Sequence, residues 1–266
     1  MEDIRQTPEY AKYMKSIGWV VEKKNNTYFY IKKFPIVGSF MKLQRPEKID
    51  FKKVNSLAKK YRVFQIIIEP LGEIKEYKLS KSPFLPSKTI ELDLTKSETQ
   101  LFNQLKKDCK YSLRKTEKLE VKEEKDIQKF RRIWKQNVPK SRYVMSTKNL
   151  NALKKSFKSN MLLLQCIDTL QQPIAGGVFL VAGNKAYYWQ GFSGKKGRKS
   201  LAQYKIVWEG ILWAKRMKAN RFDFEGIYDD RFPQKSWAGF SEFKKKFGGE
   251  IITYPGAYSR WRFPLQ

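Results

Sequence analysis

RFDFEGIYDDRFPQKSWAGFSEFKKKFGGE, residues 221–250, is the stretch from which the fold is read. It opens as a short strand, RFDFEG, with Phe222 and Phe224 alternating with polar neighbours. A polar loop, 228–235, leads into a helical segment, SWAGFSEFKKKF. Gly248-Gly249 closes that helix, because glycine takes the left-handed C-cap conformation without a Cβ clash. Phe240, Phe243 and Phe247 stand at i, i+3 and i+7 and share one face. Lys244, Lys245 and Lys246 flank that face and cannot all point the same way. Each is either a solvated surface charge, the ordinary outcome, or a cation held in a cleft beside the aromatic face.

A chain of 266 residues can build one large domain or two small ones with a real core. Its 41% apolar and 15% aromatic content is that of a globular protein, not a disordered one. The net charge is +29, from 55 Lys+Arg against 26 Asp+Glu. Such an excess repels itself, and it implies a polyanionic partner: nucleic acid first, an anionic membrane surface second. A general lysine richness of the source is the competing explanation. The excess of lysine over arginine suits phosphate tracking better than base reading. The absence of histidine excludes Ser-His and Cys-His catalysis and most zinc sites, and no metal is expected. Cys109 and Cys166 read as reduced packing residues. The first twenty residues hold no apolar signal-peptide core, and no apolar run approaches a membrane span, so a cytoplasmic protein is expected.

In chain order, Thr7 caps a helix with Pro8 at its first position. Two strands, WVVEK and TYFYIKKF, flank a turn at Asn25-Asn26. Residues 48–61 form a helix with Phe51, Val54, Leu57, Ala58 and Tyr61 on one face. VFQIIIEP is a central strand stopped by Pro70, and 71–88 is a Lys/Ser/Pro connector. The strand TIELDL precedes one long helix, capped by Thr95 and reaching Leu119. Its buried side is Leu101, Leu105 and Leu113. Lys106, Lys107, Lys110, Arg114, Lys115 and Lys118 crowd the rest, an anion-facing surface unless it is only a solvated face. Helices at 125–137 and 147–158 follow, then strands MLLLQCID, PIAGGVFLV and KAYYWQGFS. A basic loop, Gly194-Lys195-Lys196-Gly197-Arg198, leads into a helix over 199–218, and EIITY and AYSRWRF close the chain. This order describes an α/β protein of two tandem acetyltransferase-like (GNAT) domains, the second complete and the first trimmed. The first comprises 1–88, completed by a returning strand within 255–266; the second comprises 89–254.

Three segments carry a family resemblance: PSKTIELDLTKSETQLFNQLKKDCKYSLRKTEK, then AYYWQGFS, then FDFEGI with WAGFSEFKKKFGGE. They resemble the Fem family of peptidoglycan bridge-forming, aminoacyl-tRNA-dependent aminoacyltransferases, and no heptad run is present to supply the coiled-coil arm of some members. The resemblance implies transfer of an amino acid from aminoacyl-tRNA to the side-chain amine of a peptidoglycan precursor stem peptide. The acceptor would be UDP-MurNAc-pentapeptide or its lipid-linked form. No cofactor is implied beyond aminoacyl-tRNA as co-substrate, and a monomer is expected.

By the same resemblance, Lys244 with Phe243 beside it is the oxyanion-stabilising pair. Lys12 is the phosphate-contacting lysine, and Glu69 is the acidic residue before proline after a central strand. Lys148 and Ala152 stand where a compact member has arginine and tyrosine, and Gln190 stands where it has a tyrosine. These departures concern the acceptor.

An aminoacyl ester is already activated, so the reaction needs neither a covalent enzyme intermediate nor a metal. The largest expected effect is a preorganised cation or N–H donor aimed at the developing oxyanion, and Lys244 is the candidate. The base is Glu69, Asp223, Glu225 or the tRNA ribose hydroxyl. Lys107, Lys110, Arg114, Lys115, Lys196 and Arg198 suit tRNA phosphates. Tyr188, within Tyr187-Tyr188-Trp189, offers a stacking surface, although alternation in a strand sends at least one of the three to the core. Two other readings use the same fold: an acyl-CoA-dependent N-acyltransferase with 194–198 as its pyrophosphate loop, and a non-catalytic RNA-binding module.

Overall fold

The computed structural model describes residues 3–262; the end of the expected returning segment, 263–266, lies outside them. The described elements are α1 (Pro8–Ser16), β1 (Val20–Lys24), β2 (Thr27–Phe34), β3 (Gly38–Gln44), α2 (Phe51–Lys60), β4 (Val63–Glu69), β5 (Lys78–Leu79) and β6 (Lys88–Asp93). Then come α3 (Glu98–Asn103), α4 (Lys107–Lys115), β7 (Glu120–Glu123), α5 (Ile127–Gln136), α6 (Thr147–Phe157), β8 (Met161–Ile167), β9 (Pro173–Ala182) and β10 (Lys185–Ser193). The chain continues with α7 (Lys195–Lys199), α8 (Ala202–Arg216), β11 (Arg221–Asp223), α9 (Ala238–Lys245), β12 (Glu250–Thr253) and β13 (Tyr258–Trp261).

Two sheets result. One has the order β1-β2-β3-β4-β13-β5, the other β12-β6-β11-β10-β9-β8-β7. Pairs β3/β4 and β10/β11 are parallel, and the other described pairs are antiparallel. The last strand leaves the second sheet and inserts beside β4, pairing Tyr258 with Ile68 and Trp261 with Gln65. The continuous apolar run of β4 therefore has a neighbour on each side.

Three cores follow. Helix α2 packs Val54, Leu57 and Ala58 on Ile31, Met41, Ile66 and Ile68 of the first sheet. One face of the second sheet packs with α8 around Phe179, Phe222, Phe224 and Phe247. The opposite face packs with α5, α6 and α1, so Tyr10, Tyr13 and Met14 share a core with Phe130, Leu150 and Phe157. The first helix of the chain thus covers the second sheet. Thr7 caps it, its side chain accepting from Tyr10 N, with Pro8 at the first turn.

Three local expectations differ from the structure. Strands β3 and β7 come from GSFMKLQ and EVKE, for which no element is expected above; in β3 Met41 and Leu43 alternate inward. The single helix over 95–119 is broken into α3 and α4. Ser97, not Thr95, caps α3 in a capping box with Gln100, and the Thr95 hydroxyl bonds Asp93 instead. Lys106 is extended at the break, and its amide donates to the carbonyl of Lys246 at 3.0 Å. A tertiary bond to the end of α9 replaces an intrahelical one. Finally, the basic loop at 194–198 is the helix α7, joined to α8 through Leu201 in the left-handed region.

Helix α9 ends where Gly248 and Gly249 take φ of 81° and 95°. A Cβ on Gly249 would lie 2.6 Å from the Glu91 carbonyl, so the chain passes β6 only as glycine. Phe247 just before them is fully buried against Tyr204, Phe224 and Phe243. Phe247→Ala is expected to cost about 3–5 kcal/mol of stability, read as a lower urea midpoint at unchanged m-value.

Candidate active site

Strand β11 ends at Asp223, and the chain then turns through Glu225 (φ 56°) and Gly226 (φ 104°). A side chain at Gly226 would meet Pro86 at 2.5 Å, which leaves glycine as the residue that fits. The turn aims the Gly226 carbonyl at α9, where it accepts a hydrogen bond from Lys244 Nζ at 2.6 Å. Lys244 is 7% exposed, with its ammonium 4.8 Å from the Phe240 ring and 5.9 Å from the Tyr188 ring. Burial lowers its pKa to about 8, against the opposing pull of Glu225 and Asp223. It is therefore chiefly a cation at neutral pH, poised to release its proton just above. Lys245 and Lys246 instead pair with Glu242 at 2.7 Å and Asp108 at 2.6 Å, each with a partly exposed side chain. Of the three lysines, the fold internalises one.

Lys244 lines a cavity of about 530 Å³, together with Phe240 and Phe243 of α9, Glu225, and Tyr188, Trp189 and Gln190 of β10. Simple alternation would send Trp189 to the opposite face. The β10/β9 register slips between Tyr188 and Gln190, and this bulge brings all three residues to the cavity wall. Tyr187 points into the core, where its hydroxyl accepts from Ile4 N at 2.9 Å. Tyr188 is buried, stacks on Phe179 and accepts at its hydroxyl from Gln203 Nε2 at 2.6 Å. Among the described residues, Gln203 Oε1 and Ser193 Oγ at the same wall have no hydrogen-bond partner. Both atoms are buried, so each carries an unmet hydrogen bond.

Two carboxylates stand at or just past the end of β11: Glu225, which lines the cavity, and Asp223, which does not. Glu225 is clasped by both Nη atoms of Arg5, one at 3.0 Å, and the guanidinium lies 5.3 Å from the Trp189 ring centroid. Burial opposes the Arg5 charge, but Glu225 and Asp3 outweigh it and hold the guanidinium well above its ordinary value. Asp223 is buried and accepts from Thr89 Oγ1 at 2.5 Å and Glu225 N at 2.8 Å. Burial first, then repulsion from Glu225, pushes it up to about 7.

The sequence-derived residues are thus divided. Lys244, Phe243, Tyr188, Gln190 and Arg198 meet at the cavity. Glu69 does not line it: the residue is buried in the first sheet, where its carboxylate accepts from Gln44 Nε2 at 2.8 Å and Leu85 N at 2.5 Å. Lys12 and Lys148 are exposed on α1 and α6, two helices that pack together. Lys107, Arg114 and Lys115 are exposed on α4, while Lys110 donates to the Asn103 carbonyl. Lys196 is exposed on α7. The residue that sequence reasoning missed is Arg5: nothing in DIRQT marks an arginine whose partner lies 220 positions on.

The two sheets with their helices form the tandem acetyltransferase-like fold. Solved structures share it: FemX, with a TM-score of 0.79 at 15% identity over 98% of this chain and 92% of that one; L-PGS from Bacillus licheniformis, at 0.61 and 10% over 100% and 95%; and a tandem GNAT protein from the clavulanic acid biosynthesis pathway, at 0.52 and 7% over 98% and 96%. At such identities the likeness is one of fold. The sequence places the molecule more narrowly: the FemAB family pattern matches residues 117–262, and the chain belongs to that family. Aminoacyltransferase FemA of Staphylococcus epidermidis is 29% identical over 86 residues, 32% of this chain and 21% of that protein. FemA of Staphylococcus aureus gives 29% over 86 residues, 32% and 20%. The match therefore spans about a fifth of the length of these relatives.

The raised Asp223 predicts a pH signature. Its folded pKa of about 7 exceeds the unfolded value of about 4, so between these limits the folded state holds the extra proton and stability falls as pH rises. Asp223→Asn removes this loss. The variant's Tm relative to the parent is expected to climb by several degrees from pH 4 to 7 and level above, in thermal melts across that range.

Proposed function

We propose that the chain is an aminoacyltransferase. It moves an amino acid from aminoacyl-tRNA to the side-chain amine of a peptidoglycan precursor stem peptide. The observation that carries the reading is the internal cation: Lys244 sits in a cavity large enough for an aminoacyl ester, tethered by one N–H to the Gly226 carbonyl. Membership of the FemAB family and the name of the FemA relatives support the same class of chemistry.

The acceptor nitrogen attacks the ester carbonyl carbon, and charge gathers on the carbonyl oxygen. The remaining Lys244 N–H donors neutralise that charge, and burial of the lysine limits competition from water. Collapse then breaks the C–O bond, the ribose oxygen leaves with a proton and a new amide remains. Phe240 and Tyr188 face the cation without offering it a competing anion, and Phe243 lines the same cavity. Glu225, bound to Arg5, lines the cavity and orients the site, while Asp223 is buried with its carboxylate bonded to Thr89 and the Glu225 amide. The exposed cations of α4 and α7 are suited to tRNA phosphates, and Lys12 and Lys148 to an anionic precursor.

Purified protein, charged tRNAs and a wall precursor test the reading, with mass spectrometry following the precursor. An added aminoacyl residue is expected. Lys244→Met is expected to lower kcat by roughly 10²–10³, about 3 kcal/mol, with tRNA affinity within about twofold of the parent. Loss of binding and transfer in parallel would reduce Lys244 to a phosphate contact. Transfer from acyl-CoA without tRNA would favour the acyl-CoA-dependent reading instead.

A further inference from the structure

The β2–β3 hairpin tip takes no part in the cavity, yet it is the most exposed apolar segment among the described residues. In Phe34-Pro35-Ile36-Val37, Phe34 is 41% exposed, Ile36 88% and Val37 60%. Two other segments extend this surface. Ser39 N donates to the Arg62 carbonyl at 2.9 Å, which sets the start of β4 beside the tip. The Phe34 ring lies 6.1 Å from Phe64, and Phe64 stacks at 6.2 Å on Trp261 of β13, itself 70% exposed. Residues far apart in sequence thus form one contiguous apolar edge, and such patches mark contact sites more often than scattered surface residues do.

Cations rim this edge. Lys33, Lys60, Arg62 and Arg260 are exposed, and Lys32 is half-buried on β2. Lys33 Nζ and Lys60 Nζ sit 5.3 Å and 4.9 Å from the ring of Tyr61, at the end of α2. Segments 23–46, 59–68 and 251–262 contain no Asp or Glu. Glu22, beside them, is paired with Lys60 at 2.8 Å and accepts from the Tyr61 hydroxyl. A nucleic acid would use the charge and leave Ile36 and Val37 in water. A bilayer with anionic headgroups accommodates both features: hydrocarbon takes the apolar tip, and phosphates take the surrounding lysines and arginines.

We propose that the β2–β3 tip, with Phe64 and Trp261, is a wedge that docks the protein on a bilayer rich in anionic phospholipid. The proposal stands apart from the transferase reading, since lipid binding and aminoacyl transfer to a soluble precursor are separate measurements. The test uses the full chain and sedimentation with vesicles of phosphatidylglycerol or of phosphatidylcholine at low and high salt. Binding to phosphatidylglycerol is expected, weakened by salt, with little binding to phosphatidylcholine. The double substitution Ile36→Asp and Val37→Asp should lower phosphatidylglycerol affinity by roughly tenfold or more at an unchanged melting temperature. Brominated phosphatidylglycerol should quench a tryptophan component that disappears in Trp261→Phe, a variant that keeps the apolar character of the edge. No binding to phosphatidylglycerol, unchanged affinity in the double variant, or identical quenching in Trp261→Phe would each overturn the wedge.

Discussion

The ion pair between Arg5 and Glu225 is the constraint on which the site's geometry rests. It joins the N-terminal segment to the turn after β11, across 220 positions of sequence, in a place where neither group has free access to water. An unpaired guanidinium there would be strongly unfavourable, so the two segments cannot separate without uncovering both charges. The same pair holds Glu225 in a left-handed conformation that few non-glycine residues adopt. That backbone setting turns the next carbonyl, of Gly226, toward α9, where it meets the Lys244 ammonium. The position of the internal cation thus follows from a salt bridge made by a different part of the chain.

The N-terminal segment serves as a seam between the two sheets. Gln6 donates through Nε2 to the Gln44 carbonyl at 2.6 Å and accepts from Tyr28 N, both on the first sheet. Ile4 N bonds Tyr187 on the second sheet, and Tyr30 Oη donates to the Arg5 carbonyl. The same few residues therefore satisfy polar groups on both lobes and then lead into α1, which covers the second sheet. Burial here is polar and fully bonded at most positions, an arrangement that specifies one geometry and tolerates few alternatives.

The cavity draws opposite behaviour from adjacent lysines. Lys245 and Lys246 keep partly exposed heads and ordinary ion pairs, whereas Lys244 gives up hydration for a carbonyl and two aromatic faces. Its lowered pKa is the measure of that exchange. A cation that is weakly solvated and only partly satisfied is a strong donor toward any new negative charge, which is the property an oxyanion requires.

Periodicity, capping and turn chemistry in the sequence determined most of the elements: the Thr7-Pro8 start of α1, the hairpin at Asn25, the α2 face, the apolar β4 and the glycine stop after Phe247. The spacing of Phe240, Phe243 and Phe247 showed that some lysine must stand near an aromatic face. Which lysine was internalised was decided by tertiary structure, because the answer depends on where a carbonyl from another segment points. The same holds for the break between α3 and α4, where an amide prefers the Lys246 carbonyl to its own helix, and for Trp189, which a bulge turns into the cavity. Local sequence encodes local hydrogen bonds and apolar periods. The partners of Arg5, Lys106 and Lys244 are non-local, and only the folded chain brings them within reach.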